Sequence, residues 1–249
     1  MPAYMLLTFD LDGEAPYILK KRDYVQVTRG LYGVKTGLYK ILQVLDKRRI
    51  PATFFISAYV AEMHEKDVYE IARRGHEVAS HGYLHEDFSQ LSASEAEEVL
   101  TKSKNILSKF GSVIGFRAPY WRLEKWVLEL LALKGFIYDS SLMDSDFAYT
   151  LELGSRKLVE IPVSYHLDDW VLFEEKQFPP DIVLRSWTYE LEWCIENETL
   201  FVLTAHPQVI GRGSRIRVLD GLLRLAEKLE KVEVTTCRKL AEKLLKPGD

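Results

Sequence analysis

The feature that most constrains this fold is the alternation of short apolar runs with segments of helical periodicity along the whole chain. Strands are predicted from such runs at residues 3–9, 52–56, 77–79, 113–116, 157–163, 200–203 and 232–234, with a brief one before Asp139. Between the runs, apolar residues recur at the spacing of three and four that is typical of a helix with one buried face. Strands that alternate with helices favour βα units and a parallel sheet. We therefore predict an α/β fold, arranged as a distorted, TIM-barrel-like (β/α) barrel.

The length of the chain agrees with a single domain. A (β/α) barrel typically takes about 250 residues as one unit, and this chain has 249 residues. No linker, low-complexity segment or internal repeat divides the sequence. We therefore expect one domain over residues 1–249.

Charge and hydropathy argue against two classes of partner. The net charge is −4, and acidic and basic residues are interleaved without the basic stripe that is typical of nucleic-acid binding. No stretch approaches the ~18 consecutive apolar residues of a membrane span. We expect neither a nucleic acid nor a membrane as a partner.

The cysteines and the first apolar run indicate a cytoplasmic protein. Cys194 and Cys237 are far apart in sequence and suggest no disulfide framework, which is typical of a reducing compartment. The run at residues 3–9 lacks a preceding basic region and ends at Asp10. We interpret it as a strand and not as a signal segment.

Two histidines lie four residues apart directly after the run at residues 77–79. A helical turn would bring His81 and His85 to the same side. Two neutral imidazoles there could bind one divalent ion at about 2.0–2.1 Å. The same spacing also arises by chance, so a structural or surface role is the alternative for this pair taken alone.

Other titratable side chains follow the ends of other predicted strands, namely Asp10, Asp12, Arg117, Asp139 and His206. In a parallel α/β barrel the carboxyl ends of the strands share one rim, and active sites lie at that rim. The sequence therefore predicts that residues almost two hundred positions apart form a single site.

Each of these residues has a simpler interpretation. Asp12 is followed by Gly13, and Asp-Gly is a turn signal, although two carboxylates at one strand end repel each other unless a cation is near. Arg117 could be a structural partner of a carboxylate. His206 could be a buried, hydrogen-bonded imidazole.

Aromatic residues follow two of the predicted strands. Tyr120 and Trp121 come shortly after Arg117 and could line a cleft or pack in the core. The segment 168–170, Asp-Asp-Trp, could be a solvated turn or part of a pocket wall.

Four segments of the chain resemble motifs of the polysaccharide deacetylase (NodB-homology) superfamily, carbohydrate esterase family four. The segments are Thr8–Asp12, Ser80–His85, Arg117–Trp121 and Leu203–Pro207. They occur in the order of the family motifs and extend over most of the chain, from residue 8 to residue 207.

The resemblance implies a role for each matched residue. Asp12, His81 and His85 would be metal ligands. Asp10 would be the general base, oriented by Arg117, and His206 would be the general acid. Tyr120 and Trp121 would then bind substrate.

Two departures from the family pattern qualify this assignment. Leu11 separates two aspartates that are usually adjacent, and the segment 206–212 is more similar to the intracellular branch of the superfamily. That branch has allantoinase-like, cyclic-imidase and peptidoglycan-deacetylase-like members, often tetrameric, which implies a homo-oligomer. The fourth family motif is not clear. Asp139 or the turn 168–170 could stand in for it, and we expect Asp139 to fix the tautomer of His206.

The resemblance implies a metal-dependent hydrolase of carbon–nitrogen bonds other than peptide bonds. The cofactor would be a divalent ion, with Zn²⁺ as the first expectation and Co²⁺, Ni²⁺ or Fe²⁺ open, because imidazole and carboxylate suit several of these metals. The substrate would be an N-acetyl sugar, as a small molecule or oligosaccharide, or a small cyclic amide or imide. The alternative is a catalytically inactive carbohydrate-binding or regulatory protein on the same fold.

Overall fold

The structure is a computed structural model that describes residues 3–246. Its strands are β1 (Ala3–Leu11), β2 (Thr53–Ile56), β3 (Glu77–Ser80), β4 (Gly115–Phe116), β5 (Tyr138–Asp139), β6 (Tyr149–Leu153), β7 (Arg156–Glu160), β8 (Leu200–Ala205) and β9 (Val232–Thr235). Its α-helices are α1 (Ala15–Leu19), α2 (Tyr24–Tyr32), α3 (Leu38–Arg48), α4 (Ala58–Met63), α5 (Glu65–Arg73), α6 (Ala93–Leu107), α7 (Lys125–Leu133), α8 (Pro180–Asn197), α9 (Ile216–Ala226) and α10 (Cys237–Leu245).

The strands form one sheet in the order β6-β7-β5-β4-β3-β2-β1-β8, with β9 paired to β1. Every pairing is parallel except that of β6 with β7. Within residues 3–246 the sheet stays open between β6 and β8, so the barrel is a curled half-barrel. The predicted α/β fold is thus confirmed, with a mixed sheet instead of a wholly parallel one.

Strand β1 lies between β2 and β8 and is buried on both faces. Leu7 and Phe9 pack against the helices, whereas Leu6 belongs to a second apolar cluster on the other face. Because side chains alternate along a strand, Thr8 and Asp10 continue the row of Leu6. The continuous apolar run seen in the sequence is therefore the signature of a doubly covered parallel strand.

The segment between β1 and α3 differs from the prediction. Gly30 and Gly33 suggest irregular structure there, but α2 continues through a π-helical turn at Gly33–Gly37 directly into α3. A Cβ atom on Gly30 would lie 2.1 Å from the backbone oxygen of Gly13, and one on Gly37 would lie 2.0 Å from that of Pro207. The glycines therefore let this helix pack directly on the two loops that carry Asp12 and His206.

Strand β6 is absent from the sequence prediction. It lies at the edge of the sheet, is only partly buried, and pairs in a hairpin with β7 across Gly154, whose φ is +63°. Its short alternating pattern is a weaker signal than a fully buried run. Among the residues that the structure describes, no helix is long and apolar enough to cross a membrane.

Candidate metal centre and acid–base site

Neighbouring parallel strands bring the predicted residues to one edge of the sheet. β3 and β4 are in register, so His81 and Arg117 follow directly on adjacent strands. β1 and β8 are in register up to the residues before Asp10 and His206, which therefore lie side by side. The convergence predicted from the sequence is present among these residues.

Three buried side chains at this edge could hold a metal ion. Oδ1 of Asp12 lies 3.4 Å from Nε2 of His85 and 3.6 Å from Nε2 of His81. One ligand atom from each residue lies within 4.8 Å of the other two. A carboxylate and two imidazoles are a ligand set typical of catalytic zinc, in which a fourth position stays open. Asp12, His81 and His85 are therefore the candidate metal centre.

Both imidazoles are in the state that metal binding requires. Nδ1 of His81 donates to the backbone oxygen of Arg117 at 2.7 Å, which leaves Nε2 with a lone pair directed toward Asp12. Burial lowers the pKa of His81 to about 4. Burial, with the nearby charge of His81, holds the pKa of His85 well below its ordinary value. Neutral imidazoles are the forms that ligate metals.

Asp12 has the environment of a ligand that faces a cation. Burial raises its pKa to about 7. Its Oδ2 accepts a hydrogen bond of 3.1 Å from Nε2 of Gln208, whereas its buried Oδ1 has no hydrogen-bond partner among the described residues. Buried polar atoms without a partner are rare in folded proteins. An unpartnered carboxylate oxygen that faces two neutral imidazoles fits a divalent cation.

Asp10 is held beside the candidate metal centre by an arginine. Nη1 of Arg117 lies 2.8 Å from Oδ1 of Asp10 and 2.7 Å from Oγ1 of Thr8, and its Nη2 donates to Oγ of Ser140 at 2.9 Å. Burial acts to raise the pKa of Asp10, but the charge and the hydrogen bond of Arg117, together with the charges of the nearby histidines, hold this pKa below its ordinary value. Asp10 is therefore an ionised carboxylate, 3.9 Å from Nε2 of His81.

His206 faces the metal centre from the end of β8 and is a cation. Its Nδ1 lies 2.7 Å from Oδ1 of Asp169. Burial acts to lower the pKa of His206, but the charge and the hydrogen bond of Asp169 hold this pKa well above its ordinary value. Asp169 also accepts hydrogen bonds from the backbone N–H groups of His206 and Ile210. Asp169 therefore fixes both the imidazole ring of His206 and the loop that carries His206.

The partner of His206 is thus Asp169, and the expectation that Asp139 fixes its tautomer is wrong. Asp139 accepts a hydrogen bond from Oγ of Ser141 and lies against Glu160, away from His206. Burial raises the pKa of Asp139 to about 6, and burial with the charge of Asp139 raises the pKa of Glu160 well above its ordinary value. The raised pKa values favour a state in which one of these two buried carboxyl groups is protonated, and neither group lines the cleft.

A cleft of about 650 Å³ opens over the metal centre and is lined by seven of the eight predicted site residues, namely Asp10, Asp12, His81, His85, Tyr120, Trp121 and His206. The eighth, Arg117, is fully buried behind Asp10. The ring of Tyr120 meets that of His85 edge to face, with 4.4 Å between centroids.

Backbone strain marks the aromatic wall of the cleft. Tyr120 and Trp121 have φ values of +59° and +53°, which ordinary side chains rarely adopt. Such strain clusters at functional sites, where the surrounding structure imposes it.

Two residues that complete the site, Asp169 and Gln208, are not among the predicted site residues. Asp169 belongs to the turn 168–170, for which the sequence leaves a solvated turn as an alternative, yet its side chain is completely buried. Gln208 follows His206 by two positions and reaches back to Asp12. A polar side chain so close to a candidate catalytic histidine is the signal that could have identified Gln208.

Comparison with known proteins identifies the family of the chain. The family model described as polysaccharide deacetylase matches residues 4–138 of the chain. A peptidoglycan deacetylase from Helicobacter pylori is 28% identical in an alignment of 256 positions. The alignment covers 88% of this chain and 87% of the relative.

Two crystal structures are similar over almost the whole chain. A provisionally assigned polysaccharide deacetylase from Mycobacterium smegmatis has a TM-score of 0.91 at 32% identity, and the match covers 98% of this chain and 90% of that one. Puue allantoinase has a TM-score of 0.90 at 20% identity, with coverages of 99% and 92%. The second likeness concerns the fold alone.

Proposed function

Because this chain belongs to the polysaccharide deacetylase family, we propose that it is a metal-dependent hydrolase of amide bonds other than peptide bonds. The observation that carries the proposal is the placement of an ionised carboxylate, Asp10, and a cationic imidazole, His206, beside one buried trio of metal-binding side chains. A base and an acid that flank one Lewis-acid site are the groups that amide hydrolysis requires.

Asp12, His81 and His85 would hold the ion. When bound, a divalent ion in such a site polarises a carbonyl group and lowers the pKa of water toward ~7. Gln208 would keep Asp12 in place, and the hydrogen bond of His81 to the backbone of Arg117 would keep that imidazole in the ligating tautomer.

Asp10 would act as the general base. Asp10 is not one of the three candidate metal ligands. Arg117 keeps it ionised and donates a hydrogen bond to its Oδ1. Its other oxygen, Oδ2, is then the atom that takes the proton of the attacking water. The reaction requires that Asp10 be deprotonated when substrate binds, and the lowered pKa supports this.

His206 would act as the general acid. Because Nδ1 is engaged with Asp169, the proton available for transfer is the one on Nε2. That proton would pass to the leaving nitrogen as the carbon–nitrogen bond breaks, and the charge of Asp169 stabilises the imidazolium until then.

The substrate would be an N-acetyl sugar or a small cyclic amide or imide. Support for the first comes from the Helicobacter pylori relative, which is a peptidoglycan deacetylase. The aromatic wall formed by Tyr120 and Trp121 suits either ring. We propose zinc as the metal because of the ligand set. We propose a cytoplasmic location because of the cysteine content, and a homo-oligomer because of the family resemblance.

The test combines metal analysis with turnover. The purified protein, loaded with Zn²⁺, is assayed against chito-oligosaccharides, allantoin and cyclic imides, and its metal content is measured in parallel. We expect one tightly bound ion per chain and hydrolysis of at least one of these classes. A protein that binds chito-oligosaccharide without a stoichiometric ion and without turnover would instead be the inactive binding protein.

A further inference from the structure

Outside the metal and acid–base residues, the cleft is lined by four cationic and three acidic side chains, although the whole chain has a net charge of −4. Four cationic side chains line it, namely Lys20, Arg22, Arg29 and Arg122. The acidic side chains in that part of the cleft are Asp23, Asp168 and Glu175. Asp23 is occupied as the cap of α2, where it accepts hydrogen bonds from two backbone N–H groups. An acidic protein with a cationic cleft attracts anions to that cleft.

Lys20 places one of these charges beside the metal centre. Its Nζ lies 4.2 Å from the centroid of the Tyr120 ring, and that ring lies 4.4 Å from the centroid of His85. The ammonium group is thus two ring contacts away from a metal ligand. It makes no hydrogen bond or ion pair with any residue among those the structure describes, and it is free to bind a ligand.

Lys20 is reinforced by two arginines. Partial burial, and then the nearby charges of Arg22 and Arg122, lower the pKa of Lys20, and the charge of Asp87 opposes them. Asp87 lies 3.3 Å from Nη1 of Arg122, so it can neutralise one charge of the three. This group of three cations, the Lys20 cluster, therefore keeps an excess positive charge at the Tyr120 side of the cleft.

On the opposite side of the cleft, a cation also lies over an aromatic ring, but that cation is held by an ion pair. Arg29 lies over the ring of Trp170, with 4.6 Å from Cζ to the centroid, but Nη2 of Arg29 lies 2.7 Å from Oε2 of Glu174. Glu174 also pairs with Arg215. Arg29 is thus held in place by an ion pair, whereas the ammonium group of Lys20 has none among the described residues.

We infer that the amide substrate of this enzyme carries a carboxylate, and that the Lys20 cluster binds it while the scissile carbonyl lies at the metal centre. The inference rests on the proposed function and specifies its substrate class. The short path from Lys20 through Tyr120 to His85 limits the separation of the two groups to the length of a small molecule. A neutral N-acetyl sugar would leave the excess positive charge without a partner.

The test uses two hydroxamates of equal length, because a hydroxamate binds a metal ion directly. One is the monohydroxamate of succinic acid, which ends in a carboxylate, and the other is its neutral primary amide. Binding to the Zn²⁺-loaded protein is measured by isothermal titration calorimetry. We expect the carboxylate compound to bind about 10-fold more tightly, as a charge-assisted hydrogen bond in a partly exposed site allows.

Variants of Lys20 and Lys21 then test which residue causes the preference for the carboxylate compound. Lys20→Gln should remove most of the 10-fold difference, and Lys20→Arg should keep it. Lys21→Gln is the matched control, because Lys21 is the next residue, has the same charge and does not line the cleft. The Lys21→Gln variant should prefer the carboxylate compound to the same degree as the native protein does.

The outcomes separate this inference from the proposed function. Equal binding of the two hydroxamates, or an equal preference in Lys20→Gln and Lys21→Gln, would overturn the inference and leave the metal centre intact. If neither compound binds the Zn²⁺-loaded protein, the proposed metal centre is wrong, and the inference is overturned with it.

Discussion

Nδ1 of His206 lies 2.7 Å from Oδ1 of Asp169, a carboxylate that is completely buried and that also receives the backbone N–H of Ile210. One side chain therefore sets both the charge and the position of the candidate acid. The pair joins the end of β8 to the helical residues directly before the π-helical turn at Val171–Glu175.

The first prediction concerns the pH dependence of turnover. The folded-state pKa of His206 is raised by Asp169, so His206 stays protonated, and able to donate, until the pH rises through that raised pKa. In Asp169→Asn the largest of the charges that raise this pKa is gone, while the smaller contributions of Asp168 and Asp12 stay. The alkaline limb of the kcat profile should move to lower pH, and kcat near pH 8 should fall by about 10²-fold or more.

Asp181→Asn, a change of the same type on an exposed position of α8, is the control and should keep the native profile. An alkaline limb that stays in place in Asp169→Asn, with wild-type kcat, would show that this pair does not govern the acid.

The second prediction concerns metal affinity. Gln208 donates to the oxygen of Asp12 that does not face the imidazoles, and the loss of such outer hydrogen bonds typically weakens metal binding 10–100-fold. Gln208→Ala should therefore weaken Zn²⁺ binding by about this factor in competition with a chelator. Gln90→Ala, at an exposed site, should leave the affinity unchanged. Identical affinities in the two variants would rule out this role for Gln208.

The third prediction concerns stability and uses the buried Asp139–Glu160 pair. The folded-state pKa of Glu160 is raised, so the folded protein keeps a proton that the unfolded chain releases above about pH 4.3. The free energy of unfolding should then fall by up to about 1.4 kcal/mol per pH unit as the pH rises toward the folded-state pKa. Glu160→Gln imitates the protonated form and should remove this loss.

Thermal unfolding between about pH 5 and pH 9 checks the prediction. Glu160→Gln should gain stability over the native protein as the pH rises, whereas Glu192→Gln, on the exposed face of α8, should not. A constant difference across the pH range would mean that the pair does not share a proton.

Much of the fold and of the site is visible in the sequence because it depends on local signals. Buried parallel strands appear in the sequence as apolar runs. The residue that follows each run lies at the carboxyl edge of the sheet. His81, Arg117 and His206 could be assigned to one edge for this reason. The capping box at Ser92 and Glu95, which starts α6, is another local signal that the structure confirms.

What the sequence does not reveal depends on contacts between distant segments. Gly30 looks like a breaker in the sequence, whereas in the structure it is a contact point between α2 and the backbone at Gly13. The sequence leaves the segment 168–170 open as a solvated turn, a pocket wall or the missing fourth motif, and the role of Asp169 becomes visible only when β8 brings His206 to it. The assignment of Asp139 as partner of His206 fails for the same reason, because strand order and not sequence pattern decides which carboxylate is near.

The central claim is that one ion, held by Asp12, His81 and His85, works with Asp10 to hydrolyse an amide bond. The most direct test measures bound metal and turnover together in Asp10→Asn and His81→Ala, with His166→Ala, an exposed histidine outside the trio, as the control. We predict that Asp10→Asn keeps one ion per chain but loses about 10²–10⁴-fold in rate. His81→Ala should lose both ion and activity, and His166→Ala should keep both. Full turnover in Asp10→Asn, or a stoichiometric ion in His81→Ala, would contradict this account.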